Sequence, residues 1–126
     1  MLSDFRCHPT IPVTNLDTAK KFYGSVLGFE PQIENQGGVM YSAGGNTRFF
    51  VYRAAAPSSG AHTTLGFDVK GIDGVVQDLR SRGVVFEEYD YPALKTVDGI
   101  ADTPPGRAAW FKDPEGNIIG MIELGD

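Results

Sequence analysis

"HPTIPVTNLD", residues 8–17, lies over "TLGFDVKGID", residues 64–73, at a constant offset of 56 residues (64 − 8). His8 falls on Thr64, Val13 on Val69, Leu16 on Ile72 and Asp17 on Asp73. Further along, the turn Gly45-Asn46 lies over Gly116-Asn117. An internal repeat constrains a fold more than any single element does, because each copy is one supersecondary unit that needs a partner to bury its apolar face.

Working outward, each copy reads as strand, helix and three strands. In the first, Phe5 to Val13 alternates, with Cys7 on the apolar side and His8 on the other. Pro9 and Pro12 cannot donate to a ladder and suit an edge strand. Thr14 or Asn15 caps a helix in which Leu16, Ala19, Tyr23 and Val26 recur at helical spacing, stopped by Gly28. Phe29 to Glu34, Val39 to Ala43 and Arg48 to Arg53 follow as strands, with Gly37-Gly38 and Gly44-Gly45-Asn46 as turns. After the linker Ala54 to Gly60, Thr63 to Val69 is a strand, and Ile72, Val75, Val76 and Leu79 mark a helix stopped by Gly83. Val84 to Tyr89, Ala108 to Lys112 and Ile118 to Leu124 complete the second copy. Tyr91 to Arg107 reads as a long loop, a gate or a solvated connection. The expected fold is α+β: one domain over residues 1–126, with repeats at 5–56 and 63–125. Two tandem βαβββ modules form a curved, partly closed mixed sheet around a central cavity, with the helices outside.

The 126 residues carry a net charge of −5, which disfavours nucleic acid and anionic membrane surfaces as partners. No apolar run reaches a membrane span, and the start Met1-Leu2-Ser3-Asp4 has no secretory pattern. The single cysteine, Cys7, excludes an internal disulfide and points to a cytoplasmic setting. On the alternating pattern Cys7 is expected to be a buried, inert thiol. P-loop, dinucleotide and nucleophile-elbow motifs are absent.

The segments "HPTIPVTNLDTAKKFYGSVLGFE", "TLGFDVKGIDGVVQDLRSRGV" and "AAWFKDPEGNIIGMIEL" together resemble the vicinal oxygen chelate superfamily, which includes glyoxalases, bleomycin-resistance proteins and extradiol dioxygenases. The resemblance implies metal ligands on inward-facing strand positions. The first-strand histidine falls on His8. Its counterpart in the second half falls on Thr64, the last-strand glutamate on Gly120, and the equivalent of that glutamate in the first half on Phe49 or Phe50. Two histidines, His8 and His62, are all the chain contains. The expectation is therefore a degenerate divalent-metal site and no metal cofactor, since such ions need three or four converging donors.

What remains is a cavity for a small organic molecule. His8 is the candidate general acid–base. His8, Phe50, Tyr52, Thr64, Trp110 and Gly120 are the candidate ligand-binding residues; His62 reads as surface. Gly120, a glycine in mid-strand, leaves room for a ligand or for close packing of a neighbouring aromatic. The resemblance implies binding, as in bleomycin-resistance proteins. The alternative is a lyase, isomerase or dioxygenase with a shifted metal site or metal-free acid–base chemistry at His8. A homodimer is also expected.

Overall fold

The computed structural model describes residues 1–58, 60–103 and 106–125. The chain is α+β and divides into two compact units, Met1–Ser59 and Gly60–Asp126, each with its own mixed sheet.

In the first unit, β1 (Thr10–Val13), β2 (Glu30–Asn35), β3 (Gly38–Ala43) and β4 (Thr47–Arg53) form a sheet in the order β1-β4-β3-β2. Strand β1 runs parallel to β4 and is an edge, as its prolines require; the other pairs are antiparallel. It begins five residues later than expected. Pro9 contributes only its carbonyl, which accepts from the Phe50 N–H at 2.9 Å, so regular pairing starts at Thr10. Cys7 therefore lies outside the strand and is exposed, contrary to the expected buried thiol.

The helix α1 (Leu16–Lys20) is capped by Asn15, whose Oδ1 accepts from the Thr18 N–H at 3.1 Å. It passes into a π-helical stretch, Lys21–Val26, where the Leu27 N–H reaches the Phe22 carbonyl at 2.9 Å. Gly28, at φ +83°, ends it, and the Phe29 N–H bonds the Tyr23 carbonyl at 3.0 Å. Leu16, Ala19 and Tyr23 bury against Val39, Tyr41, Phe49 and Val51, with the Tyr23 and Phe49 rings 5.7 Å apart. Strand alternation then leaves Arg48, Phe50 and Tyr52 on the opposite, open face.

In the second unit, β5 (Thr63–Asp68) and β10 (Ile118–Leu124) pair in parallel, and α2 (Ile72–Ser81) follows β5. Gly71 occupies the position of the capping Asn15 and has no side chain to offer. The Glu123 carboxylate on β10 replaces it, accepting from the Gly71 N–H at 2.5 Å and the Ile72 N–H at 3.3 Å. Val84 to Tyr89 is not a strand. It makes one isolated bridge, Phe86 to Phe111, and the Glu87 N–H reaches the Trp110 carbonyl at 2.8 Å.

The expected loop instead carries β6 (Asp90–Tyr91), β7 (Leu94–Val97) and β8 (Ile100–Thr103). These extend the sheet through β9 (Gly106–Lys112) in the order β5-β10-β9-β8-β7-β6. Strand β8 pairs with β9 at residues 106–108, and 84–89 touches β9 further along, at Trp110 and Phe111. Glu88 pins this segment: its Oε1 accepts from the Thr96 hydroxyl at 2.6 Å and the Gly99 N–H at 2.8 Å. The two bonds hold its carboxyl below the usual range, that from Thr96 contributing most. Pro104 and Pro105 of the expected loop, and Ser59 of the expected linker, lie outside the described residues.

The turn before β10 is built on a buried carboxylate. Asp113 Oδ1 accepts from the N–H groups of Glu115 and Asn117, at 2.9 and 2.8 Å, and its Oδ2 accepts from Asn117 Nδ2 at 2.9 Å. Gly116 supplies φ +88°. With the turn fixed, Ile119 and Met121 face the core and Gly120 the opposite side.

Candidate functional site

Gly120 sits in a row of three strands, with Gly66 of β5 on one side and Trp110 of β9 on the other. A Cβ added at Gly120 would lie 3.1 Å from indole Cδ1 and Nε1 of Trp110 and 3.2 Å from Thr63 Cγ2. The indole thus lies across the glycine. This mid-strand glycine accommodates the neighbouring indole and also borders open space. Gly66 is different, with nothing within 4 Å of an added Cβ. The bare backbone of Gly66 and the edge of the indole border a concavity of about 360 Å³, also lined by Thr63, Asp68 and Thr103.

A second concavity, about 430 Å³, lies on the other side of Trp110 and shares Thr63 with the first. Tyr89, Tyr91, Leu94, Glu87 and Lys112 line it, together with His62. Tyr89 meets Trp110 edge-to-face, with centroids 5.6 Å apart and planes at 72°, and stacks on Tyr91 at 6.0 Å and 26°. Burial, with the nearby Glu87 carboxylate, raises the Tyr89 phenol above its ordinary range, so it remains a hydrogen-bond donor at neutral pH. Glu87 and Lys112 form an ion pair at 3.3 Å on the polar side. The site in this unit is an aromatic ridge between two hollows, with hydroxyl and charged groups on one margin.

Thr64, expected to line the site, is displaced by a bulge. Ile118 pairs with Thr63 and Ile119 with Leu65, so Thr64 has no ladder partner of its own. Its hydroxyl bonds the Ile118 carbonyl at 3.2 Å, and Thr63 takes its place beside Gly120. Tyr89 and Tyr91 lie in segments read as strand and loop, and only the tyrosine-rich composition there signalled them. The bulge that removes Thr64 from the ladder had no signal in the sequence.

In the first unit, Phe50 and Tyr52 project from the open face of β4 and stack at 6.2 Å with planes 13° apart. His8 is half-buried just before β1. The structure resolves which β4 residue corresponds to Gly120. Gly66 pairs with Gly120, and Thr10, the counterpart of Gly66, pairs with Phe50. Phe49 is excluded because it is buried among Tyr23, Phe29 and Tyr41.

The four positions that the resemblance to vicinal oxygen chelate enzymes marks as metal ligands hold an imidazole (His8), a phenyl ring (Phe50), a hydroxyl bonded to a carbonyl (Thr64) and a hydrogen atom (Gly120). A divalent transition metal takes three or four nitrogen, sulfur or oxygen donors. Among the described residues no three of His, Cys, Asp and Glu converge on a common point. This donor set does not fit such an ion.

The same architecture occurs in solved structures. The chain superposes on TnmS3, an antibiotic binding protein from Streptomyces sp. CB03234, with a TM-score of 0.72 and 23% identity, over 96% of this chain and 98% of that one. A glyoxalase family protein from Enterococcus faecalis gives a TM-score of 0.73 at 22% identity, over 98% and 100% of the two chains. A glyoxalase/bleomycin resistance protein from Streptomyces sp. CB03234 gives 0.65 at 25% identity, over 90% and 95%. No curated protein matches the chain significantly. The sequence match is at the level of the family and runs through both units, from Cys7 to Met121. By that match, the chain belongs to the glyoxalase/bleomycin resistance protein/dioxygenase superfamily.

Proposed function

We propose that the protein binds a small organic molecule with a flat aromatic portion on the Trp110 ridge, and that it acts by binding and not through a catalytic metal. The observation that carries this reading is the ridge itself: an indole fixed over Gly120, flanked by two hollows of about 360 and 430 Å³. Hollows of this size suit a small ligand, and an indole with adjacent phenols supplies stacking surface and hydrogen bonds together. The antibiotic-binding neighbour supports a small-molecule ligand in general. An enzymatic role as lyase, isomerase or dioxygenase would rest on His8, which has no orienting hydrogen bond or ion pair among the described residues, and no step is assigned to it. A homodimer and a cytoplasmic setting belong to the same reading. Among the described residues, no helix is long and apolar enough to cross a membrane.

Trp110 is the chain's single tryptophan, so its indole N–H gives one cross-peak in a nitrogen–proton correlation spectrum. Titration with phenazine should move that peak saturably and raise the melting temperature, while decahydronaphthol, of similar size but without a π face, should do neither. Trp110→Leu should abolish the rise. A phenazine titration that leaves both the indole peak and the melting temperature unchanged would sink the proposal.

A further inference from the structure

The open face of the first unit carries a cation with no ion-pair partner among the described residues. Arg48 is half-buried on β4, two residues before Phe50 and four before Tyr52, so all three share one face. Its Nε is shielded from solvent and has no hydrogen-bond partner among the described residues. No ion pair among those residues involves it either. The directly paired residue across β3, Ser42, directs its hydroxyl to the Glu30 carbonyl at 3.4 Å. Glu30 belongs to the same face two strands away, its backbone roughly 9–10 Å off at the usual strand spacing, and forms no ion pair with Arg48. In a chain of net charge −5, with most other arginines engaged, an unpaired guanidinium beside an aromatic pair requires an explanation. A buried donor without a partner costs free energy unless something bonds to it.

We infer that Arg48, with Phe50 and Tyr52, forms a binding site for the carboxylate of an aromatic acid. A guanidinium carries its N–H groups side by side in one plane, a fork that donates to both oxygens of a carboxylate. The Phe50 and Tyr52 rings, stacked at 6.2 Å, run along the strand from that fork and offer a surface for the rest of the ligand. Phe50 lies against Gly38 on β3: a Cβ there would meet the Val51 carbonyl oxygen first and would come within 2.8 Å of Phe50 Cζ, so both the backbone and the ring need the bare glycine. Each unit thus has an aromatic ring against a glycine, and among the described residues the first unit's has a cation without an ion pair beside it.

The proposal stands apart from the Trp110 reading and has its own readout, the side-chain Nε–H resonance of Arg48. In the full chain, 2-naphthoate should shift that resonance and bind at least about tenfold more tightly than the neutral 2-naphthalenemethanol, the worth of one charge-assisted hydrogen bond. Arg48→Gln should bring the two probes to equal affinity, and Arg48→Lys should restore part of the difference. The Trp110 indole peak, followed in the same titrations, reports the other site, so failure of one proposal is distinguishable from failure of the other. Equal affinity of the two probes for the unmodified protein, or a preference that survives Arg48→Gln, would overturn the assignment. Should a variant fail to fold, the unmodified protein decides: an Arg48 Nε–H resonance unmoved by saturating naphthoate also refutes it.

Discussion

Gly120 and Trp110 form one packing unit. The indole rests on the backbone of β10 at a point where any side chain would push it away, and Thr63 closes the other side. Backbone cannot yield, so a methyl group at Gly120 must move either the indole or Thr63 by a few tenths of an ångström. Tyr89 stands edge-on to the indole and resists that movement. Gly120→Ala should therefore destabilise the fold by about 1–3 kcal/mol, the usual cost of overpacking. It should also shift the emission of the single tryptophan, which differential scanning fluorimetry reads together with the melting temperature. Trp110→Ala in the same chain should cancel most of the loss; an unrelieved loss would place the strain in the β10 backbone instead. A glycine at an unexpected place in a strand was legible in the sequence. What it packs against was not, because that depended on a residue in another strand, ten positions away, whose register only the sheet defines.

Helix caps show how an element can be legible while its support is not. Asn15 announces itself, since its side chain caps its own helix three residues on. Gly71, its counterpart, announces nothing, because its N-terminal N–H groups are served by a carboxylate 52 residues later. Local signals fix α1 and α2 through periodicity and the stops Gly28 and Gly83, both with positive φ. Caps delivered across a sheet follow from strand register, which one-dimensional patterns do not contain. The same limit explains Val84 to Tyr89: the residues suit a strand, yet β8 pairs with β9 at residues 106–108, and the segment makes one isolated bridge further along. If the Glu123 carboxylate caps α2, Glu123→Ala should cost about 0.5–2 kcal/mol, like the loss of an ordinary N-cap. Protection of the α2 amides from hydrogen exchange should fall more than that of α1. Unchanged exchange in α2 would show that solvent serves those N–H groups equally well.

At the scale of the molecule, the repeat was the informative signal, and it led to the family before any contact was known. It also located the positions that the resemblance marks as metal ligands, because those positions recur in both halves at matched strand sites. The substitutions there are not conservative. Phe50 and Gly120 each belong to a contact between an aromatic ring and a glycine, Phe50 as the ring against Gly38 and Gly120 as the glycine beneath Trp110. Thr64 is displaced by a bulge and bonded to a carbonyl. At three of these positions the chain thus has a ring, a hydroxyl already bonded and a glycine under an indole, none of which donates to an ion. A single imidazole at His8 cannot hold a transition metal against water, which competes for every coordination position that the protein leaves unfilled. Protein purified without chelator and then exposed to one equivalent each of Zn²⁺, Mn²⁺, Fe²⁺ or Ni²⁺ should therefore retain far less than one ion per chain after gel filtration, by elemental analysis. His8→Ala should leave that small amount unchanged. Stoichiometric retention of any one of these ions, lost on His8→Ala, would mean that His8 recruits donors from elsewhere and that the chain has kept a metal centre in a different place.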